Sequence, residues 1–417
     1  MNLGRCLRLG PPLVVAILGL AAGTTAQSKP KLPRWRIDPH TDNDPKALAK
    51  AGYVSYGPFP FGERGPNPAT SEDIDKHLEY EKFLWVETAH FKIGSALPAW
   101  NVPLEPKIRD KIRTELTELS EKLPRVNVKT RTLTPWLRLH LLAHRSEKSY
   151  RAFQDMLGVK DEDFPADKAS VIVGNGRFMG YGKYLGMREK YLLLITEKGA
   201  TCEDYLKSFI GRDTSFGQRW HFIKTGALMY AVGTTMEDGR LKDDTALHAH
   251  LEHCLVHNFI DGYRSYSYDT PVWITEGLAH WFERRISERF NSFCRDEGAA
   301  HNPSAKWNWK PDVRAAVTAG KVRAFAEVMT WRQYSAINWP DNEFLWSRWD
   351  YLLATDPQKF GDFMLQVKGR VNPKDWSVDQ SDIIAACREA LRTVYGLTPL
   401  TFDEKWAEWV KTNYPSQ

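Results

Sequence analysis

The chain has 417 residues, 42% of them hydrophobic, with 16 Trp and a net charge of +5. That is ample for a large core, and so small a basic excess, scattered along the chain, argues against a nucleic-acid partner. At this length two lobes are expected rather than one compact domain.

Residues 1–26 read as a secretory signal peptide. Arg5 and Arg8 precede an apolar run at 12–20, and Thr24, Thr25 and Ala26 offer a small-residue cleavage site. The mature protein is therefore expected to be secreted or periplasmic, with an uncleaved anchor as the alternative. The run is short for a membrane span, and no later stretch reaches about 18 apolar residues, so no stable span is expected. Removal of the two signal arginines takes the net charge from +5 to +3. Residues 27–70, rich in Pro, Gly, Lys and Asp, read as an extended arm.

From 71 to 236 the pattern mixes helices and strands. Ser71 is placed to cap a helix over 72–82, followed by a strand over 83–93 whose His90 reads as a surface or satisfied residue. An amphipathic helix is expected at 106–123, a strand at 137–143 from its apolar alternation, and a short helix at 149–157. Two β-rich runs at 171–173 and 191–195 flank glycine-rich turns. No Lys-Ser/Thr ending or helix follows those glycines, so they read as turns rather than a phosphate cradle. The apolar run 227–232 is expected as a strand or helix segment beside the next helix.

The chemistry concentrates in 245–283. Leu247, Leu251, Leu255, Phe259 and Ile260 recur at helical spacing, and no Pro or Gly intervenes before Gly262. His253 and His257, four apart, project from one face of that helix. Glu276 follows after eighteen residues, in a second helical segment with Trp273, Leu278, Ala279 and Phe282. Gly262 and Pro271 allow a bend that brings Glu276 over the imidazoles. Two imidazoles, one carboxylate and an open fourth position make a hydrolytic zinc site. Beyond 283, short helices are expected at 313–319, 325–329, 344–353, 360–367, 383–394 and around Trp406 and Trp409.

The run His253-Cys254-Leu255-Val256-His257, eighteen residues, then Glu276-Gly277-Leu278-Ala279 resembles the zinc motif of the gluzincin metallopeptidases, the thermolysin and M1-aminopeptidase type. The segment 272–279, with Trp273, is similar to the third-ligand helix of the aminopeptidases, and Glu283 falls where many of them carry a glutamate. The motif covers roughly 40 residues. The resemblance implies an α+β fold of two lobes: an α/β lobe (71–236), then metal-motif helices and a mostly helical lobe (237–417), with the site between them. It further implies one zinc ion on His253, His257 and Glu276, and a peptide or protein partner in the inter-lobe cleft, with 227–232 as an edge strand there.

One departure alters the expected chemistry. The residue after the first histidine should be the glutamate that takes a proton from the bound water, and here it is Cys254. Glu252 lies roughly 200° around the helix from position 254 and cannot replace it. For Cys254 three readings stay open: a buried inert thiol, a disulfide with Cys294, or a metal-bound thiolate. The mature chain carries Cys202, Cys254, Cys294 and Cys387, which allow three full pairings.

Around the ligands, His250 shares their face, as auxiliary ligand or half-exposed residue. His280 and Glu283 suit outer-shell positions, and Asp261 suits either an imidazole-orienting role or an exposed helix end. By the resemblance, transition-state donors lie downstream, where Tyr334 and His301 are the candidates. The leading expectation is a zinc-binding pseudo-peptidase that binds peptide or protein. The alternatives are an active peptidase using another carboxylate, such as Glu283, and a metal-free structural or carbohydrate-facing protein rich in surface Trp.

Overall fold

A computed structural model describes residues 32–166, 171–173, 176–180, 182–264, 266–295, 298–301, 307–370 and 382–416. The expected signal peptide at 1–26 lies outside them. In Met1–Ile37 the described structure is one 3-10 turn, Arg34–Arg36. Asp38–Gln417 form one compact unit. Among the described residues helices predominate over strands, in a mixed α+β fold.

Seven strands build its main sheet: β1 (Leu84–Glu87), β2 (Phe91–Ala96), β3 (Tyr191–Thr196), β4 (Gly217–Phe222), β5 (Ala227–Gly233), β6 (Ser292–Arg295) and β7 (Gly298–His301). Their spatial order is β6-β7-β4-β5-β3-β2-β1. The central β2–β3 and β3–β5 pairs are parallel, and the other pairs are antiparallel. The parallel centre explains the unbroken apolar runs: all six residues of β3 and all seven of β5 are buried.

Five helices matter for the site. They are α1 (Pro106–Ser120), α2 (Pro135–Leu157), α3 (Asp244–Gly262), α4 (Val272–Ile286) and α5 (Trp339–Thr355). Residues 137–143 belong to α2, not to a strand. Thr134 caps its first turn, Pro135 opens it, and Gly158 closes it at φ 65. Every residue from Trp136 to Ala143 is buried, so no polar face remains to reveal the helical period.

The expected arm carries a helix, Pro45–Ala51, and a two-stranded hairpin, Pro60–Arg64 with Asn67–Thr70. Its last residue, Thr70, rather than Ser71, caps the helix Ser71–His77, through a reciprocal pair with Asp73. The strand expected at 83–93 is the hairpin β1–β2. His90 lies at its turn, held by Glu147 at 2.8 Å and Asp161 at 3.0 Å.

All nineteen residues of α3 are buried. Against it packs α4, which is pinned in turn to α5: the Trp273 and Trp349 rings stack 5.3 Å apart, and the Trp349 indole donates to the Trp273 carbonyl at 3.0 Å. Gly277 permits that approach, since a Cβ there would stand 2.8 Å from the Leu345 carbonyl oxygen. Downstream helices Trp309–Thr318, Phe325–Val328, Phe360–Val367, Ile383–Ala390 and Pro399–Asn413 follow the expected order. No helix among the described residues is long and apolar enough to cross a membrane.

Candidate metal centre

The helix pair brings the two halves of the motif together. Asp243 caps α3 through the Thr245 and Ala246 amides, and the four-residue spacing then sets His253 and His257 one above the other, with their Nε2 atoms 3.3 Å apart. From α4, Glu276 reaches over them: Oε2 lies 3.3 Å from His257 Nε2 and Oε1 lies 3.8 Å from His253 Nε2. His253, His257 and Glu276 are all at most 1% exposed. Oε2 of Glu276 has no hydrogen-bond partner, while Oε1 accepts from the Cys294 amide at 3.0 Å. A buried carboxylate oxygen facing imidazole nitrogens, without a donor of its own, is an arrangement that suits a cation.

A fourth group joins them from the edge of the sheet. Strand β6 places the Cys294 sulfur 3.2 Å from His257 Nε2 and 3.4 Å from His253 Nε2. One atom each of His253, His257, Glu276 and Cys294 lie within 4.8 Å of one another, and together they could hold a metal ion. Cys254 is the wrong cysteine for this. It is fully buried, unpaired and next to the Tyr230 hydroxyl on β5, and burial pushes its thiol well above the ordinary range. Of the three readings of Cys254, the disulfide with Cys294 is excluded, since both thiols are free and buried.

An outer layer fixes the inner one. Glu283 Oε2 sits 3.3 Å from His253 Nδ1 and accepts from the Ser292 amide at 3.0 Å, while its Oε1 pairs with His280 Nδ1 at 2.5 Å. His280 Nε2 in turn lies 3.6 Å from Glu276 and 3.3 Å from the Asn342 side-chain oxygen. A carboxylate on Nδ1 turns the lone pair of Nε2 towards the centre, as in many metal-bound histidines. Glu283 is thereby fully engaged and is not free to serve as the base.

Electrostatics follow from this crowding. Burial opposes charge on His253, but Glu283 and Glu276 outweigh it and raise its pKa. Burial and then Arg219 lower His257 to about 3, and Glu276, despite its burial, is held well below the carboxylate range by His253, His257 and His280. Two imidazoles so close resist both being charged, and the shifts favour the charge on His253 rather than His257.

The other expected residues lie differently. His250 is buried rather than half-exposed, between the Tyr230 hydroxyl and Ser292 Oγ, and is not among the converging donors. Asp261 is buried and paired with Arg219 at 2.9 Å, so it neither orients an imidazole nor faces solvent. Tyr334 is half-buried, its ring centroid 6.2 Å from that of His257. His301 lies on β7, and its side chain is outside the description. Strand β5 is not an edge, because β4 pairs along it, so its backbone offers no peptide a place.

Sequence reasoning missed Cys294, Arg219 and Glu237. Glu237, after β5, has φ 54 and two buried carboxylate oxygens without partners, and burial pushes its pKa up to about 7. Nothing local in the sequence marks these three, since each comes from a different part of the sheet or the turn after it. Neither the models of known protein families nor the curated proteins give a match to this chain.

Proposed function

We propose that this chain is an exported gluzincin-like protein that holds zinc on His253, His257 and Glu276 but has lost peptide hydrolysis, and that it acts by binding peptide or protein. The carrying observation is position 254. Three groups that could hold a metal ion converge, while the residue in the place of the family's proton acceptor is a buried thiol beside Tyr230, with its pKa raised by burial. Such a thiol neither takes nor returns a proton near neutral pH. When bound, zinc would supply Lewis acidity and a water of lowered pKa. Among the converging groups and their direct partners, Glu276 and both imidazoles would hold the ion, Glu283 and His280 would orient, and none of these is free to carry the proton. A carbohydrate-facing surface draws no support from Trp273, Trp309, Trp349 and Trp406, which are buried.

The test is digestion of an unstructured peptide library by zinc-loaded protein, with and without chelator. No cleavage above the buffer control is expected; chelator-sensitive cleavage overturns the proposal. One observation favours a second reading, an active peptidase: the unpartnered Glu237 carboxylate with its pKa near neutrality is what a displaced base would look like. Any such activity should then vanish in Glu237→Gln.

A further inference from the structure

A hydrolytic zinc site needs three protein ligands and one open position, yet four donors converge here. Their mutual distances can be compared with the edges of a tetrahedron. With metal–nitrogen and metal–oxygen bonds of about 2.0–2.1 Å, two such donors stand about 3.3 Å apart, and with a metal–sulfur bond of about 2.3 Å a nitrogen and a sulfur stand about 3.5 Å apart. The two imidazole nitrogens are 3.3 Å apart, and Glu276 Oε2 lies 3.3 Å from His257. The Cys294 sulfur lies 3.2 Å and 3.4 Å from the nitrogens. Four of the six edges thus match a tetrahedron about one ion, and all four donors lie within 4.8 Å of one another.

Hydrogen bonds link the Cys294 sulfur and the two Nε2 atoms, but they leave one carboxylate oxygen of the cluster without a donor. A thiol is a weak donor, and the carboxylate accepts only. The Nδ1 of His253 faces Glu283 Oε2 at 3.3 Å without making a hydrogen bond, and Nε2 is the atom facing inwards. Glu276 Oε2 makes no hydrogen bond although it lies 3.3 Å from His257 Nε2, which suits a cation between these atoms.

We propose that Cys294 is the fourth protein ligand of this centre and occupies the position that a hydrolytic site keeps for water. The proposal rests on the metal-binding reading of His253, His257 and Glu276. As the ion binds, the S–H bond of Cys294 breaks, its proton leaves to solvent, and the sulfur electron pair forms the bond to the metal. A set of one sulfur, two imidazoles and one carboxylate selects zinc or cobalt(II) over magnesium or calcium. The ion becomes structural: it ties the edge strand β6 to the helices α3 and α4. The lost base at 254 and the occupied fourth position are then two independent obstacles to hydrolysis.

Cobalt(II) substitution in the full chain tests this, because thiolate ligation gives a sulfur-to-cobalt charge-transfer band that nitrogen and oxygen ligands do not. The parent should bind one cobalt per chain and show the band together with intense tetrahedral visible absorption. Cys254→Ala should keep both. Cys294→Ser should lose the band and weaken cobalt binding by more than the roughly 10–100-fold cost of losing an outer-shell partner. Stoichiometric cobalt without the band in the parent overturns the ligation by Cys294 and leaves the three-ligand reading standing. A parent that binds no cobalt and no zinc overturns both. Should Cys294→Ser fail to fold, the parent spectrum alone decides.

Discussion

Glu252 sits on α3 facing away from the metal donors, with Ser149 Oγ donating to its carboxylate at 2.8 Å. It lines a cavity of about 700 Å³ that also touches Glu115, Arg145, His248, Phe282 and Arg285. Burial raises its pKa from 4.5 to about 7. The sign follows from proton counting. Below pH 4.5 the folded and unfolded chains both hold the proton. Between 4.5 and about 7 the unfolded chain has released it and the folded chain has not, so stability falls as pH rises, and the loss is complete above about 7. At about 1.4 kcal/mol for each pH unit of difference, the gap amounts to about 3 kcal/mol, an upper figure because the cavity admits water. Glu252→Gln keeps an acceptor for Ser149 and cannot ionise. The variant should match the parent near pH 4 and exceed it by about 1–3 kcal/mol at pH 8, measured by urea unfolding across that range. Parallel stability curves for the two proteins would refute the reasoning.

Two further perturbations probe packing and chemistry. Gly277→Ala gains about 1 kcal/mol of helix propensity but drives a methyl into Trp349 and the Leu345 carbonyl; a net loss of about 1–2 kcal/mol should appear in denaturant midpoints, and a gain in stability would contradict the close α4–α5 contact. Cys254→Glu returns a carboxylate to the base position, yet with Cys294 on the metal it should stay inert against an unstructured peptide. Only the Cys254→Glu/Cys294→Ala pair, folded and zinc-loaded, should gain turnover, by about 10²-fold or more. Activity in the single variant would show that Cys294 does not hold the fourth position.

The metal motif was legible because its geometry is local: four residues of helix set two histidines on one face, and one bend brings Glu276 to them. Cys294 was not, because it arrives on an edge strand 37 residues past His257, and no periodicity ties the two. The same holds for Glu237 and Arg219, whose positions depend on sheet order. Residues 137–143 misled for another reason. In α2 the apolar positions surround the helix, so alternation imitates a strand, although Thr134, Pro135 and Gly158 carried the helix boundaries. The order of 227–232 within the sheet was likewise hidden, since a strand covered on both edges and one left open share the same apolar run.

Metal content tests the centre most directly. Purified full-length protein, dialysed against metal-free buffer and measured by elemental analysis, should carry about one zinc per chain, and the His253→Ala/His257→Ala pair should carry none. A folded parent that takes up no metal, or a His253→Ala/His257→Ala pair that retains stoichiometric zinc, would contradict the assignment of His253, His257 and Glu276 as its ligands.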